Sequence, residues 1–190
     1  MEHVETEIKL RLENGPPAAA ELLERQGYRI ASPRSLQIDR VFDWPDGALR
    51  RSGRLLRIRS ESGTALLTYK GPALPGRHKR REELEAGIEP GAAMEAILDR
   101  LGYVPSFRYE KYRTIFAAAP RIPEEATEPG IIALDETPIG AFLELEGPEY
   151  WIDRTALQLG FSPLDYITAS YAALYRDYLA DHPGPPDMVF

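Results

Sequence analysis

Charged side chains occupy every second position in several short segments of this chain, and this pattern constrains the fold more than any other feature. The segments contain Glu5, Glu7 and Lys9; Arg57 and Arg59; Arg81, Glu83 and Glu85; Lys111 and Arg113; and Glu144 and Glu146. Period-two alternation is typical of β-strands, because successive side chains point to opposite faces. An open sheet with one solvated face explains any single strand. The whole set favours a closed sheet with charged residues inside and apolar residues outside.

The net charge of −7 hides a strongly basic stretch. Residues 50–81 contain ten basic residues and one acidic residue, Glu61. An acidic chain disfavours a long nucleic acid bound on its outer surface. The basic stretch is compatible with a small anion bound inside the protein.

Cysteine and membrane-spanning segments are both absent from the sequence. The lack of cysteine excludes disulfides, thiolate metal sites and cysteine nucleophiles. No segment approaches the length of about 18 apolar residues that a membrane helix needs, and the amino terminus does not resemble a signal peptide. We therefore expect a cytoplasmic protein without membrane contact.

The predicted elements give an α+β protein dominated by strands. Strands are predicted over 4–11, 35–44, 54–60, 64–70, 79–88, 106–117, 130–136 and 141–147, and helices over 18–26, 91–102, 151–160 and 167–180. The length fits one domain over residues 1–180. The proline-rich residues 181–190 predict a flexible tail.

A charged cavity of this kind requires a charged ligand, because isolated buried ions are costly. Clustered lysine and arginine side chains suit the oxygens of a dense anion such as a triphosphate. Clustered glutamates would repel that anion unless divalent cations lie between them. Ligand sets made only of oxygen favour Mg²⁺ or Mn²⁺. The pattern therefore predicts a site for a metal ion and a triphosphate.

The order of the motifs resembles the CYTH superfamily, the triphosphate tunnel metalloenzymes. The matching blocks are His3-x-Glu5-x-Glu7-x-Lys9, Asp39-Arg40-x-Phe42-Asp43, Leu56-Arg57-Ile58-Arg59, Thr68-Tyr69-Lys70-Gly71-Pro72, Arg81-x-Glu83-x-Glu85, Lys111-x-Arg113, Asp135, Phe142-x-Glu144-x-Glu146 and Ser170-Tyr171. The first block alone is weak, whereas the ordered series from residue 3 to about residue 175 is specific. The resemblance implies an eight-stranded antiparallel β-barrel with a charged interior, flanked by helices.

The resemblance also implies residue roles. The divalent metal would be held by Glu5, Glu7 and Glu146, with Glu144, Asp135, Glu83 and Glu85 as further metal ligands or as partners that support the ligands. The triphosphate would be bound by Lys9, Arg57, Arg59, Lys70, Arg81, Lys111 and Arg113. The catalytic residues would be Glu5, Glu7, Lys9 and Glu146. The family match singles out Lys70 and Asp135, since neither belongs to an alternating set.

The activity implied by the resemblance is metal-dependent phosphorus transfer. The leading expectation is a class IV adenylyl cyclase, which converts ATP to cyclic AMP and pyrophosphate. The alternatives are an inorganic, thiamine or nucleoside triphosphatase that uses the same tunnel, and a non-catalytic module that binds a nucleotide or polyphosphate. We expect the binding partner to be a small molecule that contains a triphosphate, and we expect no nucleic acid. The sequence leaves open whether the protein forms a homodimer.

Overall fold

The computed structural model describes residues 4–118 and 129–190. The strands are β1 (Val4–Leu12), β2 (Tyr28–Asp43), β3 (Leu55–Glu61), β4 (Thr64–Lys70), β5 (Lys79–Ile88), β6 (Val104–Ala118), β7 (Ile131–Thr137) and β8 (Gly140–Glu146). The helices are α1 (Gly15–Arg25), α2 (Ala48–Arg51), α3 (Gly91–Arg100), α4 (Glu149–Gln158) and α5 (Tyr171–Asp181), with a 3-10 turn at Pro163–Asp165. None of the helices described here is both long enough and apolar enough to cross a membrane.

The eight strands form a closed barrel in the order β1-β5-β4-β3-β2-β6-β7-β8. Every neighbouring pair is antiparallel, and β8 closes the barrel by pairing with β1. Closure removes the unpaired backbone groups of the sheet edges. The predicted eight-stranded antiparallel barrel with flanking helices is confirmed.

Alternation along the strands separates the bore from the outer core. In β1, Glu7 and Lys9 face the bore, whereas Ile8 and Leu10 are fully buried on the outside. Helices α1 and α4 cover this outer face, and Trp151 of α4 packs in the same cluster. Because these helices bury the apolar face, the charged face can point inward.

Helix α5 covers part of the barrel with aromatic side chains. Its residues Tyr171 and Tyr175 pack with Tyr109 and Phe142 in a second cluster. The sequence predicts this helix over 167–180, and it begins instead at Tyr171. Ile167 exchanges two backbone hydrogen bonds of 2.9 Å with Lys9 of β1, which keeps residue 167 out of the helix.

Strand β2 is longer than the sequence predicts, beginning at Tyr28 instead of residue 35. The added half pairs with the end of β6 across two register shifts, and these irregularities break the alternation on which the prediction depends.

Part of segment 181–190 lies against the barrel. Met188 is fully buried and exchanges backbone hydrogen bonds with Arg108 and Glu110. The hydroxyl of Tyr175 donates to the carbonyl of Pro185 at 2.8 Å. The flexibility of this tail and the domain limit at residue 180 stay predictions, although these contacts attach its last residues to β6 and α5.

Candidate functional site

The barrel contains a cavity of about 860 Å³, a size typical of small-molecule sites. Nearly every site residue predicted from the sequence lines it: Glu5, Glu7, Lys9, Arg57, Arg59, Lys70, Arg81, Glu83, Glu85, Lys111, Arg113, Glu144 and Glu146. Asp135 does not. His3, which lies in the first motif, falls outside the described residues.

Three carboxylates form a group that is compact enough to hold a metal ion. Oxygen atoms of Glu5, Glu7 and Glu144 lie within 4.8 Å of one another. The group forms because β1 pairs with β8 in a register that places Glu7 opposite Glu146 and Lys9 opposite Glu144. Glu146 also lines the cavity, so a fourth carboxylate is close to the group. This oxygen-only set fits the Mg²⁺ or Mn²⁺ that the sequence predicts.

Two of these carboxylates, Glu5 and Glu146, are harder to ionise than an ordinary glutamate. Burial, together with the charge of Glu7, raises the pKa of Glu5 to about 8. Burial and the charge of Glu144 raise the pKa of Glu146 to about 7. Both carboxylates are thus costly to ionise in the protein alone. A bound cation would remove that cost, which supports the fit of a metal ion.

The raised pKa values predict an unusual pH dependence of stability. Between the ordinary carboxyl pKa and the raised values, the folded protein holds more protons on Glu5 and Glu146 than the unfolded chain does. The metal-free protein should therefore lose stability as pH rises from about 5 to about 7. Thermal unfolding in a chelator across this range measures the effect. Glu146→Gln should flatten the dependence, and a parent protein that gains stability over the same range would contradict the pKa assignments.

Glu7 is held ionised by two lysines. Its Oε1 atom accepts hydrogen bonds from Lys9 Nζ at 3.0 Å and from Lys79 Nζ at 2.6 Å. Burial alone would raise the pKa of Glu7, but these two ammonium groups hold it well below its usual range. Burial, together with the charge of Lys9, lowers the pKa of Lys79 to about 8.

Asp135 joins several groups behind the cavity wall, and the structure does not place it among the candidate metal ligands. Its fully buried carboxylate accepts hydrogen bonds from Lys111 at 2.9 Å, from Arg113 at 2.6 Å and from the hydroxyl of Tyr171 at 2.7 Å. Burial raises the pKa of Asp135, but the charges of Arg113 and Lys111 outweigh it and hold the pKa far below its usual value. Asp135 therefore orients two cations towards the bore.

A second buried acid, Asp39, orients Arg57 and Arg59. Asp39 Oδ1 lies 3.3 Å from Arg57 Nε and 2.9 Å from Arg59 Nε. The Nη1 atom of Arg57 donates a hydrogen bond to the hydroxyl of Tyr109, and its Nη2 atom donates one to the hydroxyl of Thr68. The Nε atoms of Arg57 and Arg81 are buried and make no hydrogen bond within the described chain. Each of these atoms lies beside a carboxylate, at 3.3 Å from Asp39 Oδ1 and 3.6 Å from Glu5 Oε2, so the acids hold both guanidinium groups in place.

A cluster outside the barrel fixes one segment that carries a bore lysine and another segment that pairs with the backbone of a second bore lysine. Asp153 of α4 lies 2.8 Å from His78 Nε2, and its Oδ1 atom accepts a hydrogen bond of 3.0 Å from the hydroxyl of Tyr166. His78 directly precedes Lys79, and Tyr166 directly precedes Ile167, the backbone partner of Lys9. Asp153 is therefore linked to both lysines that bind Glu7.

Sequence reasoning missed three of these residues as parts of the site. Lys79 shares the period-two face of Arg81, Glu83 and Glu85, so the signal for it was present. Asp39 belongs to the motif Asp39-Arg40-x-Phe42-Asp43, but nothing in the sequence marks it as a partner of the bore arginines. Tyr171 belongs to the last matching motif without a predicted role, and the structure shows its hydroxyl donating a hydrogen bond to Asp135.

The model of the CYTH domain matches residues 3–149. The chain belongs to the CYTH family. A protein of Methanocaldococcus jannaschii named "Putative adenylate cyclase MJ0240" is 34% identical over 145 residues, which cover 75% of this chain and 76% of that protein.

Solved structures share the fold of this CYTH chain. A Vibrio parahaemolyticus protein, described as a "putative adenylate cyclase", has a TM-score of 0.77 at 21% identity and covers 93% of this chain and 99% of its own. The Hippeastrum protein HpAC1, whose description reports "a dominant triphophatase activity", has a TM-score of 0.63 at 20% identity. The match covers 92% of this chain and 95% of the Hippeastrum protein. At these identities the likeness shows the fold alone.

Proposed function

We propose that this CYTH chain is a divalent-metal-dependent enzyme that acts on triphosphate-containing substrates. The main supporting observation is that the eight basic side chains lining the bore are matched by eight acids, six of which line the bore and two of which, Asp39 and Asp135, are buried beside its cations. The acids are Glu5, Glu7, Asp39, Glu83, Glu85, Asp135, Glu144 and Glu146, and the bases are Lys9, Arg57, Arg59, Lys70, Lys79, Arg81, Lys111 and Arg113. A triphosphate alone would leave the bore strongly negative. A triphosphate with divalent cations is nearly neutral and suits a balanced bore.

The proposed metal ligands are Glu5, Glu7 and Glu144, with Glu146 beside them. When bound, a divalent cation supplies positive charge at the phosphate oxygens and fixes their orientation. Glu83 and Glu85 are not part of the compact group of three carboxylates in the described chain, and they pair with Lys70 and Arg57.

The basic side chains are proposed to bind the phosphate oxygens. Arg57 and Arg59 are pre-oriented by Asp39, and Lys111 and Arg113 are pre-oriented by Asp135. Donors fixed before the ligand arrives stabilise developing charge without further reorganisation. The charges of Glu144 and Glu7 outweigh burial and hold the pKa of Lys9 above its usual value, so Lys9 suits phosphate binding better than proton removal.

Glu146 is proposed to receive the proton of the attacking hydroxyl. It lines the bore and, in the described chain, is the bore carboxylate that makes no ion pair. A carboxylate without a fixed cation is free to accept a proton at either oxygen.

Two reactions suit this arrangement. In an adenylyl cyclase, the ribose 3′-hydroxyl attacks the α-phosphorus of ATP and pyrophosphate leaves; the name of the Methanocaldococcus relative and the exposed Trp44 ring beside the cavity support this reaction. In a triphosphatase, water attacks a terminal phosphorus. Three arginines that line the cavity, Arg50, Arg54 and Arg176, form no ion pair within the described chain, and they support that second candidate together with the activity described for the Hippeastrum protein.

Incubation with Mg²⁺ or Mn²⁺ and either ATP or tripolyphosphate tests the proposal. Cyclic AMP and pyrophosphate identify the cyclase, and orthophosphate identifies the triphosphatase. A non-catalytic binding module would bind either compound without turnover, and binding would survive Glu146→Gln. Turnover that persists in excess chelator would contradict the metal dependence.

The exterior cluster yields a prediction about activity. Asp153→Ala should lower kcat/KM by about tenfold, because it loosens the segments that carry Lys79 and the partner of Lys9. Steady-state kinetics with Mn²⁺ titrated at each substrate concentration measures the change. Asp177→Ala on exposed α5 is the matched control and should stay near the parent. Equal kinetics for the two variants would show that the cluster does not position the lysines.

A further inference from the structure

Part of one edge of β6 pairs with the residue Met188, far along the chain, instead of with a strand of the barrel. Strand β7 pairs with β6 only from Tyr112 onward. Before that point the amide of Met188 donates to the carbonyl of Arg108 at 3.0 Å, and the carbonyl of Met188 accepts from the amide of Glu110 at 2.8 Å. These two bonds extend the sheet by one residue beyond the barrel strands.

Residues 185–190, which we call the clasp, are held at two further points. Oδ1 of Asp187 accepts a hydrogen bond of 2.8 Å from the amide of Arg108. The carbonyl of Pro185 accepts one of 2.8 Å from the hydroxyl of Tyr175 on α5. The clasp is therefore bound both to β6 and to the helix that covers part of the barrel.

The pairing places the side chain of Met188 on the bore side of the sheet. Met188 lies opposite Tyr109 in a parallel bridge. Residues opposite each other in a sheet point to the same face, and Tyr109 lines the cavity. In agreement with this, Met188 is fully buried in the cluster that contains Tyr109 and Tyr171. The clasp thus supplies an apolar side chain that supports these two rings.

Both rings contact cations of the bore. The hydroxyl of Tyr109 accepts a hydrogen bond of 3.2 Å from Nη1 of Arg57. The ring of Tyr171 has its centroid 5.3 Å from Nζ of Lys9 and 5.1 Å from Nζ of Lys111. Ammonium groups over an aromatic face are attracted to it. The packing that fixes the two rings therefore also affects where these cations stand.

We infer that Met188 is a positioning residue for phosphate binding, acting through Tyr109 on Arg57. A methionine side chain adapts to an irregular gap, and its removal from a buried cluster leaves a void. The Tyr109 ring can then shift into the void and withdraw its hydroxyl from Arg57. The guanidinium loses the acceptor that fixes Nη1, so it is no longer held ready for a phosphate oxygen. This inference rests on the proposed function, because it takes Arg57 to bind phosphate.

Calorimetric titration of the full chain with diimidotriphosphate and Mn²⁺ tests the inference, because this analogue of tripolyphosphate resists hydrolysis. Met188→Ala should raise the Kd about tenfold, since displaced binding groups are costly. Met188→Leu keeps the volume of the side chain and should stay within about twofold of the parent. The matched control is Leu159→Ala, which removes a buried side chain just after α4 and away from the cavity. It should lower stability to urea and keep the parent Kd.

A second titration separates positioning from a general loss of packing. In a Tyr109→Phe protein, Arg57 already lacks the tyrosine hydroxyl, so adding Met188→Ala should raise the Kd by less than about threefold. Asp187→Ala serves if Met188→Ala does not fold. It removes only the hydrogen bond from the amide of Arg108 and should raise the Kd of the otherwise unchanged protein about threefold.

Three results would overturn the inference. The first is a parent Kd in folded Met188→Ala or, if that variant does not fold, in Asp187→Ala. The second is an equal loss of affinity in Met188→Ala and Leu159→Ala, which would reflect stability alone. The third is the same factor for Met188→Ala with and without Tyr109→Phe, which would mean that Met188 does not act through Tyr109. Failure of the parent protein to bind the analogue would instead contradict the proposed function.

Discussion

Glu7→Gln should abolish metal-dependent turnover while the barrel stays folded. Glu7 belongs to the candidate metal group and shares Oε1 with two lysines, so the variant loses one metal ligand and the charge that orients both ammonium groups. We expect kcat to fall by at least about a hundredfold. The fold should survive because Lys9 keeps its ion pair with Glu144, in which Nζ lies 3.4 Å from Oε2. Lys79, whose pKa is lowered to about 8, can also lose its proton at little cost in free energy.

The measurement is turnover of ATP and of tripolyphosphate across a range of Mn²⁺ concentrations, with circular dichroism to check folding. Glu82→Gln is the matched control, since Glu82 is an exposed residue on β5. It should retain parent activity. A folded Glu7→Gln protein with unchanged activity would remove Glu7 from the metal site.

Asp135→Asn should cause the largest loss of stability. The carboxylate is the shared partner of Lys111 and Arg113, and Tyr171 also donates to it. Removing one partner of a buried ion pair leaves the other charges uncompensated, at a cost of about 3–5 kcal/mol. Urea unfolding of the metal-free protein measures the loss.

Glu136→Gln at the next position is the control for Asp135→Asn. Glu136 pairs with Arg34 on the surface, so this change should cost about 1 kcal/mol or less. The sequence alone assigns Asp135 to the metal. If that role were its main one, the metal-free stability of Asp135→Asn would match that of Glu136→Gln, and only metal affinity would fall.

The barrel could be predicted from the sequence because its cause is local. Alternation places Glu5, Glu7 and Lys9 on one face whatever the rest of the chain does, and the sign of charge along each strand shows that this face needs a ligand. The family motifs then add Lys70, which no alternation marks. Of the site residues predicted from the sequence, all except Asp135 line the cavity.

The remaining features depend on pairing between distant segments. Asp135 looks like a bore carboxylate in sequence, and only its position behind Lys111 and Arg113 shows it as their partner. The Asp153 cluster joins residues from three separate segments, so no spacing reveals it.

A crystal structure of the protein soaked with Mn²⁺ and a non-hydrolysable triphosphate analogue tests the central claim most directly. The account predicts an anomalous manganese signal at Glu5, Glu7 and Glu144, with the three phosphates against the lysines and arginines of the bore. An empty bore at saturating concentrations, or manganese and phosphate found together only on the outer surface, would contradict it.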